Sequence, residues 1–220
     1  MVAVGAVPLD AGDVDARLAR FALSVGELHS RVVLPAYKLS GSVTSFHPRS
    51  ERGRVFYAEA TAGLRRVCAA RGWRCDDTDG VARAVSPAGD LVVVAATGNE
   101  FTGDPRADAA VTTMFDHGPK LLDGVVAEPG YTFDEIIPEA FPFPRFVPAP
   151  PSREVWLLLL HRAGGEVRIE LSRPTGRDIS GFPRLFAKRI IVPSLLTGDT
   201  DVADDFDPGD GNIDVPVLGR

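Results

Sequence analysis

The stretch that most restricts the fold is 154–172, EVWLLLLHRAGGEVRIELS. Val155, Trp156 and Leu157–Leu160 make an unbroken apolar run, Gly164-Gly165 interrupts it, and Val167, Ile169 and Leu171 then alternate with Arg168, Glu170 and Ser172. A glycine pair between two such runs predicts a β-hairpin, because a two-residue turn needs backbone angles that a Cβ disfavours. The first strand is apolar on both faces and requires cover on both sides, whereas the second is apolar on one face only.

A two-residue turn also sets the register. His161 then opposes Arg168, Leu160 opposes Ile169, Leu159 opposes Glu170 and Leu158 opposes Leu171, and opposed residues share a face. One face is expected to carry Trp156, Leu158, Leu160, Val167, Ile169 and Leu171. The other gathers His161, Arg168 and Glu170, which makes them the candidate catalytic group, with His161 as general acid or base and Glu170 orienting it or binding a metal.

Upstream, Val14, Leu18, Phe21, Val25, Leu28 and Val32 recur at alternating steps of four and three, the stripe of one helix over Asp13–Val33 with Pro35 as its stop. The same rhythm suits a seam with a second copy, so a homodimer through 13–33 is an expectation. A second helix from Ser50 carries Phe56, Ala60, Leu64 and Val67 on one side, ends near Gly72, and leaves Trp73 to fold back on that stripe. Its basic half, Arg65, Arg66, Arg71 and Arg74, complements a helix C-terminus without needing a ligand.

Two strands follow, Val81–Val85 and Leu91–Ala96, joined by the turn Ser86-Pro87-Ala88-Gly89-Asp90. The second is apolar throughout and so belongs at the sheet centre. It leads into the glycine-framed loop 97–104, TGNEFTGD, where Glu100 and Asp104 form the candidate metal pair, since loops at the ends of buried strands often receive ligands. Residues 108–115 read as a short helix, followed by Asp116 and His117 in a solvated turn, and 120–126 as a short strand.

Segment 138–151, PEAFPFPRFVPAPP, interleaves prolines with Phe141, Phe143 and Phe146, a semi-rigid strap; Arg145, Pro148 and Pro151 match a polyproline II ligand only loosely. A last strand is expected at Arg189–Val192. The tail 197–220 holds seven Asp and one Arg, equal to the whole net charge of −6, so the body is electrically balanced. That balance gives no support to non-specific nucleic-acid binding, which rests on phosphate neutralisation. Asp205, Asp207, Asp210 and Asp214 approach a calcium loop but miss its spacing and its final Glu.

Cys68 and Cys75 form neither a C-x-x-C pair nor a zinc set, and Cys68 falls on the apolar side of its helix as a buried thiol. No apolar run reaches the roughly 20 residues of a membrane helix, and the opening MVAVGAVPLD lacks the basic start of a secretory signal, which points to a cytoplasmic protein. Phosphate loops, dinucleotide turns, nucleophile elbows and zinc helices are all absent from the sequence.

These features predict an α+β protein. A mixed, mainly antiparallel sheet is backed by two N-terminal helices, with an extension at 1–12, one domain at 13–196 and a flexible acidic tail at 197–220. The first functional expectation is a non-catalytic accessory protein that binds a protein partner through the tail and the strap. The alternative is an Mg²⁺- or Mn²⁺-dependent hydrolase or nuclease using His161, Arg168 and Glu170, or Glu100 and Asp104, with Asp90 as a further acid.

Overall fold

The computed structural model describes residues 11–106, 110–114, 153–177 and 182–198. The strap, the Asp116-His117 turn, the 120–126 strand and the acidic segment from 199 onwards lie outside the described residues.

Six strands form one sheet in chain order: β1 (Arg74–Asp76), β2 (Arg83–Val85), β3 (Leu91–Thr97), β4 (Glu154–Ala163), β5 (Glu166–Arg177) and β6 (Pro183–Leu196). Every neighbouring pair is antiparallel except the central β3 and β4, which run parallel from Leu91 beside Glu154 to Thr97 beside Leu160. The class is α+β, with the N-terminal helices against one face. The β4–β5 hairpin has the expected register, His161 opposite Arg168 and Leu159 opposite Glu170. Gly164 and Gly165 take φ of 34° and 86°, the left-handed pair that a tight hairpin turn demands.

The two faces of the sheet bury different cores. Leu91, Val93, Ala95, Trp156, Leu158, Leu160, Ile169 and Leu171 meet the helices, joined by Val14, Leu18, Phe21, Leu28, Val32, Phe56, Leu64 and Trp73. Phe21 meets Trp156 edge-on, with ring centroids 4.7 Å apart, a geometry worth about 0.5–1.5 kcal/mol beyond the area buried. On the opposite face Val92, Val94, Ala96, Leu157 and Leu159 pack with Val81, Val85 and Val111. Both sides of β4 are therefore covered, as its continuous apolar run requires.

The N-terminal helical region departs from the single helix expected over 13–33. Helix α1 (Ala11–Leu18) passes through a 3-10 turn (Ala19–Phe21) and stops where Ala22 adopts φ 57°. A new start follows at Ser24, whose hydroxyl accepts from the Glu27 amide and donates to the Glu27 carboxylate, a reciprocal N-terminal cap. Helix α2 (Val25–Glu27), a π-helical stretch (Leu28–Val33) and α3 (Leu34–Ser40) then continue past Pro35. Proline cannot donate to the carbonyl four residues back and its ring crowds that carbonyl. The wide turn immediately before it, in which the Leu34 amide reaches back to His29 O, accommodates both demands.

Val14, Leu18, Phe21, Leu28 and Val32 are all buried in the sheet-facing core, with Val25 partly buried against it. Helix α4 (Glu51–Ala69) packs beside this region and over β1–β3. At Gly63 the helix leaves no room for a side chain, because a Cβ would stand 2.5 Å from Arg31 O and 2.9 Å from Val32 Cα. Residues 110–114 are not helical: Thr113 bridges Gly98 in antiparallel fashion, and the Met114 amide donates to Thr97 O.

Candidate functional site

The loop that leaves β3 folds back across the polar face of the β4–β5 hairpin, so the two groups of candidate residues occupy one place. Each sheet residue grips a different backbone atom of the loop. His161 Nδ1 lies 3.1 Å from Gly98 O, Arg168 Nη1 donates to Glu100 O at 3.1 Å, and Glu170 Oε2 accepts from the Gly103 amide at 2.9 Å. The three side chains share a face as the register predicts, and each bonds to a backbone atom of the loop.

Glu170 is the centre of this arrangement and is fully buried. Its two oxygens accept from Arg189 Nε at 2.7 Å and Nη2 at 2.8 Å, from the Ser172 hydroxyl and from the Gly103 amide. Arg189 extends the same network into the loop, donating to Asp104 O at 2.8 Å and to Arg106 O at 3.1 Å. The fork of Glu170 raises the Arg189 pKa above its ordinary value, against the opposing effect of burial. A buried carboxylate accepting this many donors has no lone pair directed at open space, so it is a structural anchor.

Arg168 turns its Nε to Glu166 at 2.7 Å. Asp104 is gripped by Arg106, whose Nη2 lies 2.6 Å from Oδ2; hydrogen bonding from the Arg106 side chain and amide holds the Asp104 carboxyl below its usual pKa range. Glu100 is exposed at the loop's turn. Asp90 is held by the Ser86 hydroxyl at 2.7 Å, which lowers its pKa, and it belongs to the β2–β3 turn. Among the described residues no three His, Cys, Asp or Glu side chains converge as a metal site would require.

The loop's fit to the sheet depends on Gly98, where a Cβ would fall 2.0 Å from Thr102 Oγ1 and 3.3 Å from Leu159 Cβ. Thr102 is itself fully buried, and its hydroxyl has no hydrogen-bond partner among the described residues. Asn99 clamps the far side, donating from Nδ2 to Ala110 O at 2.8 Å while the Thr112 amide donates to its Oδ1 at 3.3 Å.

Elsewhere, Cys68 is buried and desolvation pushes its thiol up to about 12, whereas Cys75 is exposed on β1. Arg189 is the member of the network that hairpin reasoning did not pair with Glu170. Its position at the head of the last apolar strand was the available signal. Compared with protein-family models, curated proteins and solved structures, the chain matches none. Among the described residues no helix is long and apolar enough to cross a membrane.

Proposed function

We propose that the chain is a non-catalytic cytoplasmic accessory protein that captures a protein partner through its acidic C-terminal segment and the proline-rich segment 138–151. The observation that supports this reading is the condition of Glu170, the carboxylate best placed for chemistry, which is saturated by Arg189, Ser172 and Gly103. A general base needs a lone pair within reach of substrate, and here the available ones accept from the protein itself. The charge distribution adds to the argument, since a balanced body bears a segment of seven Asp suited to a basic partner surface.

The test is removal of the residues after Gly198. The truncated chain is expected to melt at the same temperature as the full chain and to lose its partners in affinity capture; an unchanged partner set would overturn the proposal. The rival reading, an Mg²⁺- or Mn²⁺-dependent hydrolase or nuclease built on Glu100 and Asp104, is separated by thermal melts after EDTA treatment with each ion restored. A preformed site occupied at 100 times its Kd would stabilise the fold by about 2.7 kcal/mol. Such a shift, abolished by Glu100→Gln, would replace the accessory reading.

A further inference from the structure

Cys68 belongs to α4 and Cys75 to β1, and the fold brings both to the gap between those two elements. Helix α4 ends just past Cys68 in a left-handed turn, with Gly72 at φ 80°. The Gly72 amide returns to Ala69 O at 3.0 Å and the Trp73 amide to Cys68 O at 3.2 Å, so the chain reverses at once and runs back along the helix it has left. One turn earlier on α4, Arg65 Nη2 donates to Asp76 O at 2.9 Å. Cys75 is therefore bracketed by two contacts with α4, through Trp73 on one side and Asp76 on the other. Cys68 follows Arg65 by three positions, which puts the two on the same side of the helix.

The strand register aims Cys75 into the same gap. Cys75 opposes Ala84 and Ala84 opposes Val93, and opposed residues share a face of the sheet. Ala84 and Val93 belong to the core under the helices, in which Cys68 is also buried. Cys75 thus lies on the helix-covered face, yet as a residue of the first strand of the sheet it stays exposed. Burial pushes the Cys68 thiol up to about 12 against the opposing charge of Arg71, and Cys75 is near enough for its own charge to add to the rise.

The two thiols differ as a stepwise oxidation requires. Susceptibility to oxidants follows exposure and thiolate character, and solvent reaches Cys75, whereas Cys68 is closed to it at 1% exposure and protonated at neutral pH.

We infer that Cys75 is a site of oxidation by hydroperoxides and that Cys68 is its resolving thiol, the product being an intramolecular disulfide that fastens the end of α4 to β1. In the first step the Cys75 thiolate attacks the peroxide O–O bond; the sulfur gains one oxygen as sulfenic acid, and the peroxide is reduced and leaves as hydroxide or alkoxide. In the second the Cys68 sulfur attacks the Cys75 sulfur, the S–O bond breaks, and the Cys68 proton departs with the hydroxyl as water. Strand β1 pairs over three residues, Arg74–Asp76, and has no strand on its outer side among the described residues, so it is the element that moves to bring the sulfurs to bonding distance. The site is separate from the acidic and proline-rich segments and does not depend on what they bind.

The experiment is brief treatment of the folded, reduced full chain with hydrogen peroxide, followed by intact mass measurement and tryptic digestion without reductant. Trypsin cuts after Arg66, Arg71, Arg74 and Arg83, so peptides 67–71 and 75–83 separate unless their sulfurs are joined. A chain lighter by two hydrogens is expected, with the two peptides recovered as one cross-linked species and released by dithiothreitol. Cys75→Ser should abolish the cross-link and leave Cys68 unreactive to alkylation until urea is added. Cys68→Ala should divert Cys75 to sulfinic acid or to a dimer of two chains. The oxidised chain is expected to unfold cooperatively with a urea midpoint above that of the reduced chain, because the cross-link restricts the unfolded chain. In the natural chain, Cys75 bearing two oxygens beside a free Cys68, a dimer joined through Cys75, or no oxidation at Cys75 would overturn the inference. So would an oxidised chain with a lower midpoint or no cooperative transition, since its disulfide would then belong to a disrupted fold and not to this gap.

Discussion

Glu170 and Arg189 show how a polar pair can be held inside an otherwise apolar sheet. Separately each would incur a heavy desolvation cost, and together they satisfy one another while the leftover donors and acceptors go to Gly103, Ser172, Asp104 and Arg106. Glu170→Ala leaves the partly buried Arg189 guanidinium and the Gly103 amide without their acceptor, and we expect a loss of about 3 kcal/mol in urea denaturation. Glu100→Gln, on the exposed turn of the same loop, should change stability by less than about 0.5 kcal/mol. A small effect of Glu170→Ala would show that the network is not what anchors the loop. The face-sharing of His161, Arg168 and Glu170 could be read from the Gly-Gly turn. Their real partners could not, because Gly98 O, Glu100 O and the Gly103 amide are backbone atoms that every residue type supplies.

Helix α4 depends on a glycine for a reason that propensity alone would miss. An isolated helix gains up to about 1 kcal/mol when an interior Gly becomes Ala. At Gly63 the added methyl would meet the backbone at Arg31 O and Val32 Cα, within the wide turn that accommodates Pro35, and backbone cannot step aside as a side chain can. Gly63→Ala is therefore expected to destabilise by about 1–3 kcal/mol, whereas Gly53→Ala on the same helix, with nothing within 4 Å, should stabilise by about 0.5–1 kcal/mol. Urea midpoints of the two variants moving in the same direction would refute this packing. The sequence announces the strong elements, namely the hairpin, β3 and α4, because each has a clean period or a clean interruption. It conceals β1, whose Arg74–Asp76 is short and polar, and most of β6, whose Pro193 resembles a terminator. Among the described residues β6 has no strand on its outer side, so Pro193 owes no amide there, and its carbonyl meets His29 Nε2 at 2.7 Å. The break between α1 and α2 was equally hidden, since the four-three rhythm of apolar residues continues across it.

At the scale of the molecule, carboxyl groups on β1, in the β2–β3 turn and at the start of β4 share one pH dependence. Glu154 opens β4, where the Trp156 indole donates to it at 3.1 Å, Arg20 from the N-terminal 3-10 turn lies at 3.0 Å and Arg173 from β5 at 3.5 Å. Burial by itself would raise the Glu154 pKa, but the Trp156 bond and the two guanidinium groups outweigh it and the net displacement is below the ordinary value of 4.5. Asp76, held by the Thr78 hydroxyl and amide, and Asp90, held by Ser86, are displaced in the same direction. A carboxyl whose pKa is lower folded than unfolded stabilises the fold fully above its unfolded value, and that contribution disappears as pH falls through the folded one. The urea midpoint should accordingly be flat from neutrality to about pH 5 and decline below roughly 4.5, where the unfolded chain begins to take up protons that the folded chain refuses. Glu154→Gln retains an acceptor for Trp156 but removes the titration, so its decline should be shallower than that of the natural chain while its midpoint at pH 7 is lower. A variant whose acid limb runs parallel to the parent's would locate the pH dependence in other carboxyls and remove Glu154 as the group that fastens the N-terminal helices to the opening of β4.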